Sequence, residues 1–185
     1  MVRNNTISQC IKGDQQAYSV LYRSCAPYVF TIIKNYFTPD DDRKDAMQEV
    51  FAQIFLSIDK FDEEKGSFKA WISKIAVYQS IAILRKKDKI QIGFSLEVVD
   101  EENYDTLDSL EKLSVNDLEK MLVNMPVGYK TIFLLSVIDE YSHKEIGELL
   151  GITPETSRSQ LFRAIKWIKT NIFNDINKMR YGILQ

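Results

Sequence analysis

Residues 142–166 constrain the fold of this chain more than any other stretch, because they carry the start and stop signals of two short helices. Ser142 and Glu145 have the spacing of a capping box, which begins the first helix. Gly151 ends that helix, since glycine readily adopts the left-handed conformation of helix C-termini. Pro154 then begins the second helix, at a position where a missing N–H costs nothing. The segment therefore predicts a helix-turn-helix unit.

The second predicted helix has an apolar face and a polar face. The apolar face, expected to contact the core, consists of Leu161, Ile165, Ile168 and Ile172. The polar face carries side chains suited to DNA, because arginine can bond a guanine edge and lysine a phosphate; they are Arg158, Ser159, Phe162, Arg163 and Lys166, beside Glu155. An ordinary solvated face is the other interpretation, but an exposed aromatic side chain weakens it. Ser157 should point inward, where such units usually have an aliphatic residue, at a cost in stability.

Few helix breakers and long 3.6-residue patterns predict an all-α protein, since the 185 residues include only 7 Gly and 4 Pro. No apolar run approaches the ~18 residues of a membrane span, and the N-terminus lacks an apolar signal region, so we expect a cytoplasmic protein without membrane insertion. Cys10 and Cys25 lie within helical patterns and are expected to be buried free thiols.

Charge is unevenly distributed, although the formal net charge is only −2. Residues 1–92 carry 14 basic and 11 acidic side chains, residues 93–141 carry 3 and 11, and residues 142–185 carry 7 and 4, giving +3, −8 and +3. Two mildly basic ends therefore flank an acidic middle, which suggests two nucleic-acid-facing modules with a self-repelling connector.

The apolar patterns place these modules in two small helical domains, at residues 7–92 and 117–180. Residues 93–116 have few apolar repeats and many acids, and are predicted to be a flexible acidic linker. After the linker, the helical pattern breaks at Pro126 and returns before the helix-turn-helix.

The first 60 residues contain helical patterns that predict a small core. Asp14 is predicted to cap a helix, and Pro27 to restart the pattern in another. Residues 38–42 are predicted to be a loop before a helix over Asp45–Asp59; the three adjacent aspartates there lack the ligand spacing and turn glycine that a hard cation needs. The expected core positions are Ala17, Tyr18, Leu21, Tyr22, Val29, Phe30, Ile32, Ile33, Tyr36, Phe37, Met47, Val50, Phe51, Ile54, Phe55 and Ile58.

A basic helix with aromatic residues is predicted next, from the N-cap Ser67 to about Lys89. Its core candidates are Phe68, Trp71, Ile72, Ile75 and Ala76. Cations interleaved with rings suit a single-stranded nucleic-acid groove, because cations bind the backbone and rings stack on unpaired bases. A plain surface helix with aromatic core residues is the alternative, and composition alone favours it.

Two stretches resemble bacterial sigma factors of the extracytoplasmic-function (ECF) subfamily. Region two of that family resembles DAMQEVFAQIF, followed by FDEEKGSFKAWISKIA and LRKK. Region four resembles MPVGYKTIFLLSVIDEYSHKEIGELLGITPETSRSQLFRAIKWIK. The two occur in the family's order, with its usual linker length, and together cover most of the chain.

The resemblance implies a promoter-specificity subunit of RNA polymerase, without bond chemistry, cofactor or metal. The implied partners are core RNA polymerase, through its β′ clamp and β flap, promoter DNA, and an anti-sigma factor. The clamp would bind Asp45, Gln48, Glu49 and Gln53. The −10 element would be recognised and opened by the basic helix and its flank, through Lys69, Trp71, Lys74, Tyr78, Arg85, Lys86 and Lys87. The −35 element would be read by Arg158, Ser159, Phe162, Arg163 and Lys166.

The chain departs from the family pattern at two positions of the basic helix. Relatives commonly have Asn at the position of Tyr78 and Asp at that of Ala82, and these polar groups help to shape −10 recognition. We expect Tyr78 to substitute by stacking on a base. A purely protein-binding member of the family is the alternative that these departures leave open.

Two further alternatives come from other classes of protein. A stand-alone helix-turn-helix regulator would explain residues 126–170 but would leave the region-two resemblance without a purpose, and such regulators usually dimerise. An all-α enzyme lacks support, because no nucleophile lies beside a base in the sequence. His143, the one histidine, follows the N-cap and is expected to have a surface role.

Overall fold

A computed structural model describes the backbone of residues 4–37, 40–86 and 121–181, and their side chains except at 40–41 and 172–181. Within these ranges every regular element is a helix and none is a strand. The all-α prediction is therefore confirmed.

The chain divides into two compact units, Met1–Lys87 and Asp88–Gln185. The predicted linker, residues 93–116, lies outside the described residues. The predicted domain boundaries, 7–92 and 117–180, stay predictions.

The first unit packs four α-helices around one core: α1 (Asn4–Ile11), α2 (Gln15–Tyr36), α3 (Asp40–Ser57) and α4 (Phe68–Lys86). Two short 3₁₀ turns, Ile58–Lys60 and Glu63–Lys65, connect α3 to α4. The long α2 is central, because it contacts the other three helices. The deepest core side chains are Leu21, Val29, Ile33, Val50, Ile54, Ala76 and Ile81.

One predicted helix start of this unit is confirmed, and two other predictions about its helix boundaries are corrected. Asp14 caps α2 as predicted, since its Oδ1 accepts from the N–H of Gln16 at 2.7 Å. The predicted break at Pro27 is wrong, because α2 continues through it. Proline removes one helical hydrogen bond, and the buried residues of α2 on either side of it hold the helix together. The loop predicted over residues 38–42 is also shorter, since α3 begins at Asp40 and acidic residues favour a helix N-terminus.

Most predicted core positions of this unit are buried or half-buried, but two are exposed. Tyr22 and Phe30 remain 43% and 42% exposed. Each is apolar at helical spacing, and the ring of Tyr22 packs against Phe51 at a centroid distance of 4.5 Å. Cys10 and Cys25 are buried and free, as predicted, and burial raises the pKa of both thiols.

The second unit contains α5 (Val127–Phe133), a π-helical turn (Leu134–Ile138), α6 (His143–Leu150) and α7 (Pro154–Tyr181). Residues 121–124 are also helical, and Pro126 separates them from α5, as predicted. The helix α7 contacts both α5 and α6. The core between them includes Ile132, Phe133, Leu134, Leu135, Ile146, Ala164 and Ile168.

The helix-turn-helix prediction is confirmed in its local geometry. Ser142 and Glu145 form the capping box at the start of α6. Gly151 has a φ of 70°, in the left-handed region. Thr153 Oγ1 accepts from the N–H of Thr156 at 3.1 Å, in the first turn of α7.

The apolar face of α7 is displaced from the one predicted. Ile165 and Ile168 are buried as expected, but Leu161 is only half-buried, and the side chain of Ile172 lies outside the described residues. Gln160 and Ala164 are buried as well. The helix therefore turns a mixed face, not a purely aliphatic one, towards the core.

Candidate nucleic-acid interface

The predicted reading positions of α7 lie on one face of the helix. At about 100° per residue, the set falls within an arc of about 140°; it is Glu155, Arg158, Ser159, Phe162, Arg163 and Lys166. All of these side chains are exposed or half-exposed. Buried residues occupy the opposite side, namely Ser157, Gln160, Ala164 and Ile168. A polar face of this kind can enter a groove of DNA while the other face stays packed.

Arg158 forms an ion pair on this face, through a 3.4 Å contact between its Nη1 and Glu155 Oε1. The two side chains are 48% and 76% exposed, so the pair contributes little to stability. Glu155 accepts several hydrogen bonds, and these lower the pKa of its carboxyl group; the bond from the backbone has the largest effect. Ser159 donates from Oγ to the carbonyl oxygen of Thr156 at 3.0 Å, which leaves its oxygen able to accept.

The buried Ser157 has a partner that sequence reasoning did not find. Its Oγ lies 2.9 Å from Nδ1 of His143, the first residue of α6. The expected surface role of His143 is therefore wrong, since its half-buried ring links the two helices. Burial lowers the pKa of His143, and the charge of Arg158 lowers it further. Nothing in the sequence signalled a contact between residues 14 positions apart, although a polar residue in an apolar position demands a partner.

The predicted −10 residues of α4 do not all lie together. Helical geometry places Trp71, Lys74, Tyr78 and Arg85 within an arc of about 60°. Tyr78 and Lys74 are exposed there, and Trp71 is half-buried. Lys86 is exposed next to this face, and Lys87 lies outside the described residues.

Lys69 lies on the other side of α4. Its Nζ is 4.6 Å from the ring centroid of Tyr28 on α2, a cation–π distance. Its ammonium thus contacts another helix of the same unit, on the side of α4 away from Trp71 and Tyr78.

An aromatic cluster of Phe61, Phe68 and Trp71 lies at the N-terminal end of α4. Phe68 and Trp71 are stacked at 5.5 Å between ring centroids, and Phe61 meets Phe68 edge-on at 5.0 Å. All three rings are half-buried. Phe68 and Trp71 were predicted as core, and they are the partly exposed rim of that core.

The predicted polymerase-binding residues share one face of α3. Asp45, Gln48 and Glu49 are exposed, and Gln53 is half-exposed. Leu56 shares this face, three turns after Asp45, and is 77% exposed. An exposed leucine among polar residues suits a binding surface; a helical projection of the sequence, carried to the end of the helix, would have found it.

An open groove of about 480 Å³ borders the same face of α3. It contains the two aromatic side chains that were expected in the core. Its lining is Tyr22, Phe30, Arg43, Lys44, Met47 and Gln48. Arg43 also donates from Nε to the carbonyl oxygen of Phe37 at 2.8 Å, and this hydrogen bond holds the Arg43 side chain in the lining of the groove.

Known proteins match both units of the chain. The family described as Sigma-70 region 2 matches residues 21–90, and Sigma-70, region 4, matches residues 116–168. The ECF RNA polymerase sigma factor SigW of Bacillus subtilis is 29% identical over 177 residues, covering 88% of this chain and 92% of SigW. RNA polymerase sigma factor SigV of the same species is 29% identical over 145 residues, covering 77% and 81%. The chain belongs to the ECF sigma factors.

This ECF sigma factor acts in promoter recognition and transcription initiation. Sigma factors bind core RNA polymerase and promoter DNA, so the region 2 match accounts for a unit that a stand-alone regulator would not need. A solved structure, titled CnrH in complex with the cytosolic domain of CnrY, is also similar. It has a TM-score of 0.49 and 18% identity, and the likeness covers 92% of this sigma factor and 96% of that chain. Among the described residues, no helix has the length and apolarity to span a membrane.

Proposed function

We propose that this sigma factor contacts core RNA polymerase with α3 and the two promoter elements with α4 and α7. The single observation that carries the −35 assignment is the division of α7 into a buried face and an opposite face with Arg158, Phe162 and Arg163. Run-off transcription with core polymerase of the same organism, from the promoter upstream of its own gene, tests the proposal. We expect a transcript only when the sigma factor is present and both promoter elements are intact.

The β′ clamp is the proposed partner of the α3 face. Exposed carboxylates of Asp45 and Glu49 would pair with cations, and Leu56 would supply buried apolar area. The groove beside Gln48 extends the surface with two aromatic side chains. The β flap is the proposed partner of the second unit, on the family resemblance alone.

Charge reversal tests the α3 surface directly. The double substitution Asp45→Arg and Glu49→Arg should weaken association with core polymerase by about tenfold or more, because like charges meet across the interface. The double substitution Asp59→Arg and Glu63→Arg changes two exposed acids beyond α3 and serves as the matched control. Equal affinity of the two variants for core polymerase would contradict the proposed surface.

Promoter opening is proposed for the α4 face, where Trp71, Lys74 and Tyr78 combine rings with a cation. Such a surface can bind unstacked bases and backbone of a single strand. Lys69 lies on the other side of the helix and stays a −10 candidate on the family resemblance alone.

Free sigma factor should bind duplex DNA weakly. The two ends of the chain are only mildly basic, at +3 each, and the segment between them carries −8. Tight binding is proposed to require core polymerase, which would draw the acidic segment away from the DNA. Gel shifts of the isolated chain at increasing salt test this; sequence-specific, salt-resistant binding would contradict it.

An anti-sigma factor and a cytoplasmic location are proposed from the same family resemblance, and catalysis of polymerisation is assigned to the core enzyme. A one-span membrane protein encoded next to this chain would be the first anti-sigma candidate. Co-purification of its cytosolic part with the sigma factor, and inhibition of run-off transcription by it, are the expected results.

A further inference from the structure

His143 and Ser157 connect the two helices of the helix-turn-helix by a side-chain hydrogen bond. The Nδ1 of His143 lies 2.9 Å from Oγ of Ser157, 14 residues later in the sequence. Ser157 is fully buried, and its backbone N–H is already used by the carbonyl of Thr153 at 3.0 Å. The imidazole is thus the partner that satisfies the buried hydroxyl, and losing it would leave that hydroxyl with a desolvation cost.

A hydrogen bond at this place has a consequence that aliphatic packing lacks. Apolar contacts are nearly non-directional, whereas a hydrogen bond weakens steeply when its angle changes. The bond therefore opposes rotation of α7 about its own axis. Ser157 is followed directly by Arg158 and Ser159, which lie on the proposed reading face.

We propose that His143 is a positioning residue for −35 recognition, because its bond to Ser157 fixes the rotation of α7 and so the direction of Arg158. The inference rests on the proposed reading role of α7. His143 acts through Ser157 and need not touch DNA.

The surrounding charges agree with this role. Arg158 faces the ring from α7 and is paired with Glu155, while Lys144 and Glu145 follow His143 on α6. Burial and then Arg158 lower the pKa of His143, so the folded protein favours the neutral ring. A neutral Nδ1 can accept from the hydroxyl or donate to it, according to the tautomer.

The test uses full-length protein in complete holoenzyme with core polymerase. The quantity measured is the ratio of promoter affinities with an intact and with a scrambled −35 element, by fluorescence anisotropy. His143→Ala and Ser157→Ala should each lower this ratio by about threefold to tenfold, the size of one hydrogen bond. The double variant should lose no more than either single variant, because one interaction is removed in all three.

Two conservative variants separate positioning from general packing. Asn carries its amide at the reach of Nδ1, and Gln carries it at the reach of Nε2. His143→Asn should retain most of the wild-type ratio, while His143→Gln should resemble His143→Ala. Thermal unfolding followed at Trp167, in a Trp71→Phe background, shows that each variant is folded at the assay temperature.

The outcomes distinguish this inference from the proposed function. If wild-type holoenzyme ignores the −35 sequence, the reading role of α7 fails and the inference fails with it. If wild type discriminates but His143→Ala and Ser157→Ala do so equally well, only the positioning role is overturned. Equal losses for His143→Asn and His143→Ala would overturn it as well, since packing alone would then be responsible.

Discussion

A Cβ atom on Gly147 would lie 2.7 Å from the carbonyl oxygen of Ile152. Real Cβ atoms essentially never come this close to a backbone oxygen. The approach exists because the N–H of Ile152 donates to the carbonyl of Gly147 at 3.0 Å, which folds the turn tightly over α6. Glycine at this position thus permits the tight turn between the two helices.

We predict that Gly147→Ala destabilises the second unit by about 2–3 kcal/mol, because the backbone of the turn must move. Unfolding by urea can be followed at Trp167 after Trp71→Phe, which leaves one tryptophan in the chain. Gly151→Ala is the matched control: it meets no atom within 4 Å and carries only the strain of φ at +70°, about 1 kcal/mol. An equal or smaller loss for Gly147→Ala would contradict the steric account.

The pKa of His143 should lie below 6.5 in the folded protein and return to 6.5 in urea. Since the folded state prefers the neutral ring, its contribution to stability is complete above pH 6.5 and is lost as the pH falls from there through the folded pKa. The loss should be small, because solvent screens the half-exposed ring. His143 is the only histidine, so NMR titration of its ring protons reports it directly. Arg158→Gln should raise this pKa partway, and no rise would exclude Arg158 as a cause.

Ser80→Ala should stabilise the first unit by about 1 kcal/mol. The Oγ of Ser80 is buried and, among the described residues, has no hydrogen-bond partner, so removing it relieves a desolvation cost. Alanine also has the better helix propensity. Ser24→Ala, at an exposed position of α2, measures the propensity effect by itself. Urea unfolding followed at Trp71 in a Trp167→Phe background gives both values, and a loss of stability in Ser80→Ala would show an unseen partner.

Tyr78→Ala should slow promoter opening by about tenfold, because stacking on an unpaired base is worth roughly 1–3 kcal/mol. The side chain is 47% exposed beside Trp71 and Lys74, so its ring is accessible. Tyr78→Phe keeps the ring and should open promoters like wild type. Run-off transcription from duplex and from pre-melted templates measures the effect, which should shrink on the pre-melted one. Wild-type opening and −10 preference in Tyr78→Ala would end the stacking hypothesis.

Signals that depend on neighbouring residues were readable from the sequence. The capping box at Ser142, the left-handed Gly151 and the cap at Asp14 were all predictable, because each is decided within a few residues. The all-α class followed from apolar periodicity for the same reason. Pro27 was misjudged because tertiary burial along α2 outweighs one lost hydrogen bond.

Features that depend on residues far apart in sequence were not readable. Periodicity assigned Tyr22 and Phe30 to the core, yet what covers a helix face is decided by the neighbouring helices, and here the groove leaves both exposed. The partner of Ser157 lies 14 residues away, on another helix. Lys69 shares a helix with the other −10 candidates, but Tyr28 of α2 lies beneath it. The roles of all these surfaces in binding stay predictions.

On the proposed reading role of α7, the ion pair between Glu155 and Arg158 has a kinetic consequence for target search. A guanidinium that leaves this carboxylate for a guanine exposes the remaining negative charge to the phosphates nearby. Where no guanine receives the arginine, it stays paired with Glu155, its charge is neutralised and it attracts the phosphates less, so the complex would dissociate sooner. An acid beside the arginine therefore shortens the time spent on incorrect sequences, and selectivity arises from rapid rejection as well as from retention.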